Sequence, residues 1–183
     1  MIVHRCFTRQ RGVASREPGG PLWIAREHQG AGRHDNPTRY GCLYVGTQEI
    51  ASVVELLAPL KGRLLHHDDL GVHGAPLAVA AIELDEVELI DLDDPRTLAR
   101  ERLRPSLVAT RERELTQRQA LTLFQKHPRA AGLRWWSRFE SQWINLTLFD
   151  RASRKLDVLA VRDLKVDDPT VLEAAEFLEM QPA

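Results

Sequence analysis

Only two cysteines, Cys6 and Cys42, occur in 183 residues, and so wide a separation suits neither a zinc-ligand pair nor a disulfide framework. Both are expected to be reduced and buried. A basic excess is missing as well. The formal net charge is -1, which removes the electrostatic case for nucleic acid or an anionic membrane as a partner. No stretch approaches the roughly 20 consecutive apolar residues of a membrane helix. The opening MIVHRCFTRQ lacks the apolar core of a signal peptide, so the expected address is the cytoplasm. His66, His67 and His73 fall in HHDDLGVHG without the i, i+4 spacing of helical metal ligands, which favours a polar surface loop and no metal.

What remains is an ordinary globular composition, 43% hydrophobic and 28% charged, enough for one domain over residues 1–183 with a real core. Residues 1–9 read as a first strand in which Arg5 interrupts Ile2, Val3 and Phe7. A Gly- and Pro-rich loop follows from Gly12 to Pro21. Leu77–Leu84 and Val87–Leu92 read as paired strands joined at Asp85-Glu86. The charged run Arg96–Glu114 reads as solvated helix and loop. Thr116 with Gln119 matches a capping box for a helix over about Gln117–His127. Trp143–Phe149 and Leu156–Leu164 read as strands. Asp168-Pro169 opens a last helix with Val171, Leu172, Ala175 and Leu178 on its apolar face. Trp135, Trp136 and Trp143 fall close together, a pattern that favours core over a cofactor box.

The chemistry concentrates between Gln29 and Leu60. Gly30 to Pro37 is dense in turn formers, and such a loop exposes backbone N–H groups and presents Arg33 to an anion. Cys42–Val45 is a short strand carrying Tyr44. Thr47 is placed to cap a helix whose buried stripe is Ile50, Val53, Val54 and Leu57, and Pro59 ends it. Glu55 is its one charge after Glu49. It lies about 140° around the helix from Ile50, beside Ala51 and Ala58. A solvated glutamate is the plain reading of that position. A carboxylate facing a ligand past small residues is the functional one.

Taken together, His4-Arg5, GRHDNP, CLYVG with VVELL, DLDDP, and GLRWWS with NLTLFD resemble, in order and over nearly the whole chain, the motifs of the RES domain family. The resemblance implies an α/β (α+β) fold similar to ADP-ribosyltransferases, with mixed and antiparallel sheets and flanking helices. It also implies an activity on NAD, as a substrate and not a resident cofactor, of the kind seen in toxins paired with an Xre-type antitoxin. By motif, Glu55 matches the family's glutamate and Ser137 its serine. Arg5 and Arg33 match its two arginines, Tyr44 its tyrosine, and Asn36 belongs to the same motif as Arg33. Glu55 is then expected to steady a ribosyl cation, with Arg5, Arg33 and Asn36 on the nucleotide, Tyr44 at the nicotinamide ribose and Ser137 orienting Glu55 or the substrate. The acceptor stays open between water, phosphate and a protein side chain. Cys6 and His34 stand where the family often has aromatic or bulky residues, which keeps a weakened RES-fold binding module as an alternative. A homodimer is compatible with all of this.

Overall fold

Strand β1 (Ile2–Thr8) buries Val3 and Phe7 on one side of its pleat, as alternation requires. In the computed structural model, which describes all residues but the side chain of Pro182, β2 (Cys42–Gly46) and α1 (Glu49–Leu57) follow. Next come the short β3 (Leu64–Leu65) and β4 (Gly71–Val72), the long β5 (Ala75–Leu84) and β6 (Leu89–Asp91). Helices α2 (Pro95–Glu101), α3 (Pro105–Val108) and α4 (Arg113–Lys126) precede β7 (Gly132–Trp136) and β8 (Ile144–Phe149). Finally there are β9 (Leu156–Asp163), α5 (Pro169–Phe177) and β10 (Gln181–Pro182). The fold is mixed α/β with mostly antiparallel strands and flanking helices, as expected.

These elements form two compact units, each assembled from separate stretches of chain. The first comprises Met1–Trp23, Val45–Glu83 and Asp157–Ala183. Its central strand β5 runs antiparallel to β1 from Ile2↔Glu83 to Thr8↔Leu77, and also pairs with β4 and β9. Helix α1 turns Ala51, Val53, Val54 and Leu57 inward, so the apolar stripe holds except that Ile50 is only half-buried. It packs on β1 and α5, and Ser52 Oγ donates to the His4 carbonyl at 2.9 Å. Glu49 ties its start to Arg162 of β9 and accepts from Thr170 Oγ1 of α5 at 2.9 Å. In α5 the buried residues are Val171, Ala174 and Ala175, with Leu178 buried just past its end, whereas Leu172 is exposed, contrary to the expected face. Between β4 and β5, His73 (φ 50°) and Gly74 (φ 80°) form a two-residue turn with both φ positive, the twist a tight hairpin needs. The histidine-rich stretch is therefore a 3₁₀ turn (His67–Leu70) and a hairpin, more ordered than a plain loop.

The second unit comprises Ile24–Tyr44 and Leu84–Leu156. Strand β7 lies between β8, antiparallel from Gly132↔Leu148 to Trp136↔Ile144, and β6, parallel from Leu89↔Gly132. The expected hairpin of the strands around Asp85-Glu86 is thus replaced: β6 pairs with β7, and the Asp85 N–H is drawn to the Lys155 carbonyl at 3.0 Å. Asp-Glu lacks the easy positive φ of a tight turn, so nothing local holds such a hairpin. Gly132 is required by closeness, since a Cβ there would lie 2.3 Å from the Thr147 carbonyl oxygen. Asp94 caps α2, accepting from the Thr97 N–H at 3.0 Å and the Thr97 hydroxyl at 2.8 Å. Helix α4 starts at Arg113, four residues before the expected start. Thr116 lies inside it, and its hydroxyl donates to the Arg33 carbonyl at 2.6 Å instead of capping. The core gathers Tyr40, Phe149, Leu133, Trp135 and Leu123, with Phe124 stacked on Tyr40 at 4.4 Å.

Candidate functional site

The six residues singled out in the sequence divide between the units: Arg5 and Glu55 in the first, Arg33, Asn36, Tyr44 and Ser137 in the second. In the first, Glu55 is half-buried on α1, the helix packed on the strand that carries Arg5. Arg5 Nη1 donates to the carbonyls of Pro21 at 2.6 Å and Trp23 at 3.0 Å, and its guanidinium lies 5.8 Å from the Phe7 ring centroid. Burial brings its pKa down to about 10, with Cys6 acting in the opposite sense, so it remains charged at neutral pH. Cys6 is half-buried and Cys42 buried, and neither is in a disulfide. Burial, then the Glu49 carboxylate, pushes the Cys6 thiol up to about 12, which makes it a packing group and not a nucleophile.

In the second unit the Gly-rich loop is a knot of hydrogen bonds. Asp35, 5% exposed, accepts the Gly30 N–H at 2.8 Å, the Gly32 N–H at 2.7 Å and the Tyr44 hydroxyl at 2.7 Å. The Tyr44 oxygen accepts in turn from the His34 N–H at 2.9 Å. Burial, with Cys42 and the Asp35 carboxylate, holds this phenol well above its usual range, so Tyr44 stays a neutral donor. Asn36 Nδ2 donates to the Tyr40 hydroxyl at 2.8 Å and the Gln117 carbonyl at 3.0 Å. These bonds join His34, Asp35 and Tyr44 into one structure, and Asn36 ties the loop to Tyr40 and Gln117.

Arg33 is not displayed on a surface loop; it is 6% exposed. Its Nη1 donates to the carbonyls of Val108 at 3.1 Å and Thr110 at 2.6 Å, and its guanidinium sits 5.0 Å from the Trp135 ring centroid. Carbonyls are neutral acceptors: they orient a guanidinium without cancelling its charge. The same holds for Arg5. Ser137, 2% exposed, follows β7 directly; its Oγ accepts from the Phe139 N–H at 3.2 Å. Through Trp135 the same strand reaches Arg33.

His34, Asp35, Trp135 and Thr147 are site-building residues that sequence reasoning did not assign a role. Trp135 Nε1 donates to Thr147 Oγ1 at 3.0 Å, and that hydroxyl lies 2.8 Å from His34 Nδ1. An indole only donates, so the Thr147 oxygen accepts there and keeps its own proton to give. Burial, then the Arg33 charge, lowers the His34 pKa to about 3. The one available signal was the density of GRHDNP itself, since the partners lie far downstream.

The RES domain model matches residues 2–169 of the chain. Among solved structures, a chain of the M. tuberculosis MbcT-MbcA toxin-antitoxin complex is similar at a TM-score of 0.65 and 15% identity. The similarity covers 97% of this chain and 88% of that one, and at such identity the likeness is one of fold. No curated protein matches the chain.

Proposed function

The chain belongs to the RES domain family, and from that premise we propose that it cleaves the N-glycosidic bond of NAD and acts as the toxin of a toxin–antitoxin pair. The observation that carries the reading is the half-buried carboxylate of Glu55 on the helix packed against the strand of Arg5, a charged guanidinium held on neutral carbonyls. NAD presents an anionic pyrophosphate and a cationic pyridinium joined to ribose. When the bond breaks, its electron pair goes to the ring nitrogen and nicotinamide leaves neutral, so no acid is needed. The ribosyl fragment is left cationic, and a single carboxylate stabilises it.

Glu55 is the residue assigned to that cation. Arg5 and Arg33 supply positive charge for the phosphates, oriented by their carbonyl acceptors. Tyr44, kept neutral and fixed by Asp35, packs on or orients the nicotinamide ribose end. Within the second unit, Asn36 holds the loop of Arg33 and Ser137 the end of β7. The ribosyl cation is then taken by water or phosphate, which makes the enzyme a glycohydrolase or a phosphorylase.

Replacing Glu55 by Gln keeps size and polarity but removes the charge. Nicotinamide release from NAD is expected to fall by on the order of 10²–10³ while the circular dichroism spectrum is retained; undiminished release by the folded variant would refute the assignment. Running the assay with and without phosphate, and weighing the ribose product, identifies the acceptor. Expression in bacteria should arrest growth, and a co-expressed cognate antitoxin should relieve it. That part of the proposal draws on the similar fold found in a toxin–antitoxin complex.

A further inference from the structure

We propose that the first unit carries a second anion site, a cleft of about 760 Å³ that takes a small organic phosphate. None of the six residues discussed above lines it. Its charged wall is built around Asp163, whose Oδ1 accepts from Arg9 Nη1 at 2.9 Å and whose Oδ2 accepts from Arg11 Nη2 at 2.5 Å. One carboxylate thus clamps two guanidiniums side by side and neutralises only one of them. The exposed Lys165 adds a third cation on the same wall. Asp68 offsets part of this, but it lies fully in solvent, where its field is screened. The cleft keeps a surplus of positive charge, three cations against two carboxylates.

The floor differs in kind. Leu70 and Leu164 are buried beneath it, with Ala75 and Pro76 half-buried alongside. An inorganic ion would leave that apolar floor wet, whereas a phosphate attached to a flat or aliphatic body would use both surfaces. The volume falls in the range of roughly 300–1,000 Å³ that holds such molecules. Paired guanidiniums suit phosphate because their N–H groups match its oxygens two at a time. At the rim stand His67 and His73, both exposed. His73 occupies a left-handed position, φ 50°, where Asn or Gly would be relaxed; the turn accepts that cost and sets an imidazole at the mouth of the cleft.

AMP, adenosine and inorganic phosphate are the probes, followed by the proton resonances of the His67 and His73 rings, assigned with His67→Gln and His73→Asn. AMP is expected to move both signals with an affinity on the order of millimolar or better. Adenosine and phosphate, each lacking one half of the match, are expected to bind at least about tenfold more weakly. The double variant Arg11→Ala, Lys165→Ala alters exposed side chains and leaves Arg9 on Asp163, so it should fold; AMP binding should weaken in it by about tenfold or more. The site is overturned if millimolar AMP leaves both rings unmoved, if the double variant binds AMP as well as the parent, or if phosphate alone matches AMP. Because Glu55→Gln is not involved, loss of this site and loss of NAD cleavage are separate results.

Discussion

His34 shows how a single side chain can report on its surroundings. Its pKa is lowered to about 3 by burial and by the Arg33 charge, against about 6.5 in an unfolded chain. Between those values the unfolded state binds the extra proton, so stability is fully present above about pH 6.5 and drains as pH falls, by up to about 1.4 kcal/mol per pH unit. A urea-denaturation series from pH 7 to pH 4 should show that slope, and His34→Gln should flatten it by one proton. An unchanged slope would mean that His34 is charged in the fold. Tyr44 gives a second residue-scale expectation. Phenylalanine there removes the donor to Asp35, and with it the acceptor of the His34 N–H. Leaving buried groups unsatisfied costs roughly 1–3 kcal/mol each, so the Tyr44→Phe urea midpoint should drop visibly. The place of Glu55, a lone carboxylate beside the apolar stripe of α1, was legible at this scale because it breaks an apolar periodicity. His34 and Asp35 were not, since what they do depends on Thr147, Trp135 and a turn that only folding assembles.

Among the elements, α2 and α4 meet at one carboxylate. Glu101 accepts from Lys126 Nζ at 2.7 Å and Arg100 Nε at 2.9 Å, and lies 3.1 Å from His127 Nε2. Burial works against its ionisation, yet the bonds from Lys126 and Arg100 and the His127 charge prevail, bringing it to about 2. Its folded value is depressed, so its contribution is present above the usual carboxylate range and is lost as pH falls toward 2. Glu101→Gln should cost about 1–2 kcal/mol at neutral pH, and the difference from the parent should vanish in acid. The partners are largely exposed, with side-chain exposures of 60% for Arg100 and 52% for Lys126, which keeps the figure at the low end. Strands β1, β2, β8 and β9 and helices α1 and α5 could be read from periodicity and turn chemistry alone. The partner of β6 and the start of α4 could not. Strand pairing is a non-local choice, and the Thr116 hydroxyl that looked like a cap was claimed by the Arg33 carbonyl.

For the molecule as a whole, the proposed activity carries a thermodynamic signature separate from turnover. A folded protein that binds NAD is stabilised by about 2.7 kcal/mol at a hundredfold excess over the dissociation constant. The Glu55→Gln protein, which should bind without consuming the ligand, is the clean vehicle: its thermal midpoint should climb with NAD concentration. A flat response would remove NAD as the ligand, whatever its rate of turnover. Among the described residues no helix is long and apolar enough to cross a membrane, and the near-neutral charge argues against nonspecific capture by nucleic acid.

The packing of α1 on α5 has a consequence in time. The helix bearing Glu55 is synthesised early, but its buttress, together with the β9 arginine that holds Glu49, comes from the third stretch of the same unit. A ribosome partway along this chain has already released the carboxylate without the support that fixes it. Glu55 acquires its fixed setting only once β9 and α5 are in place.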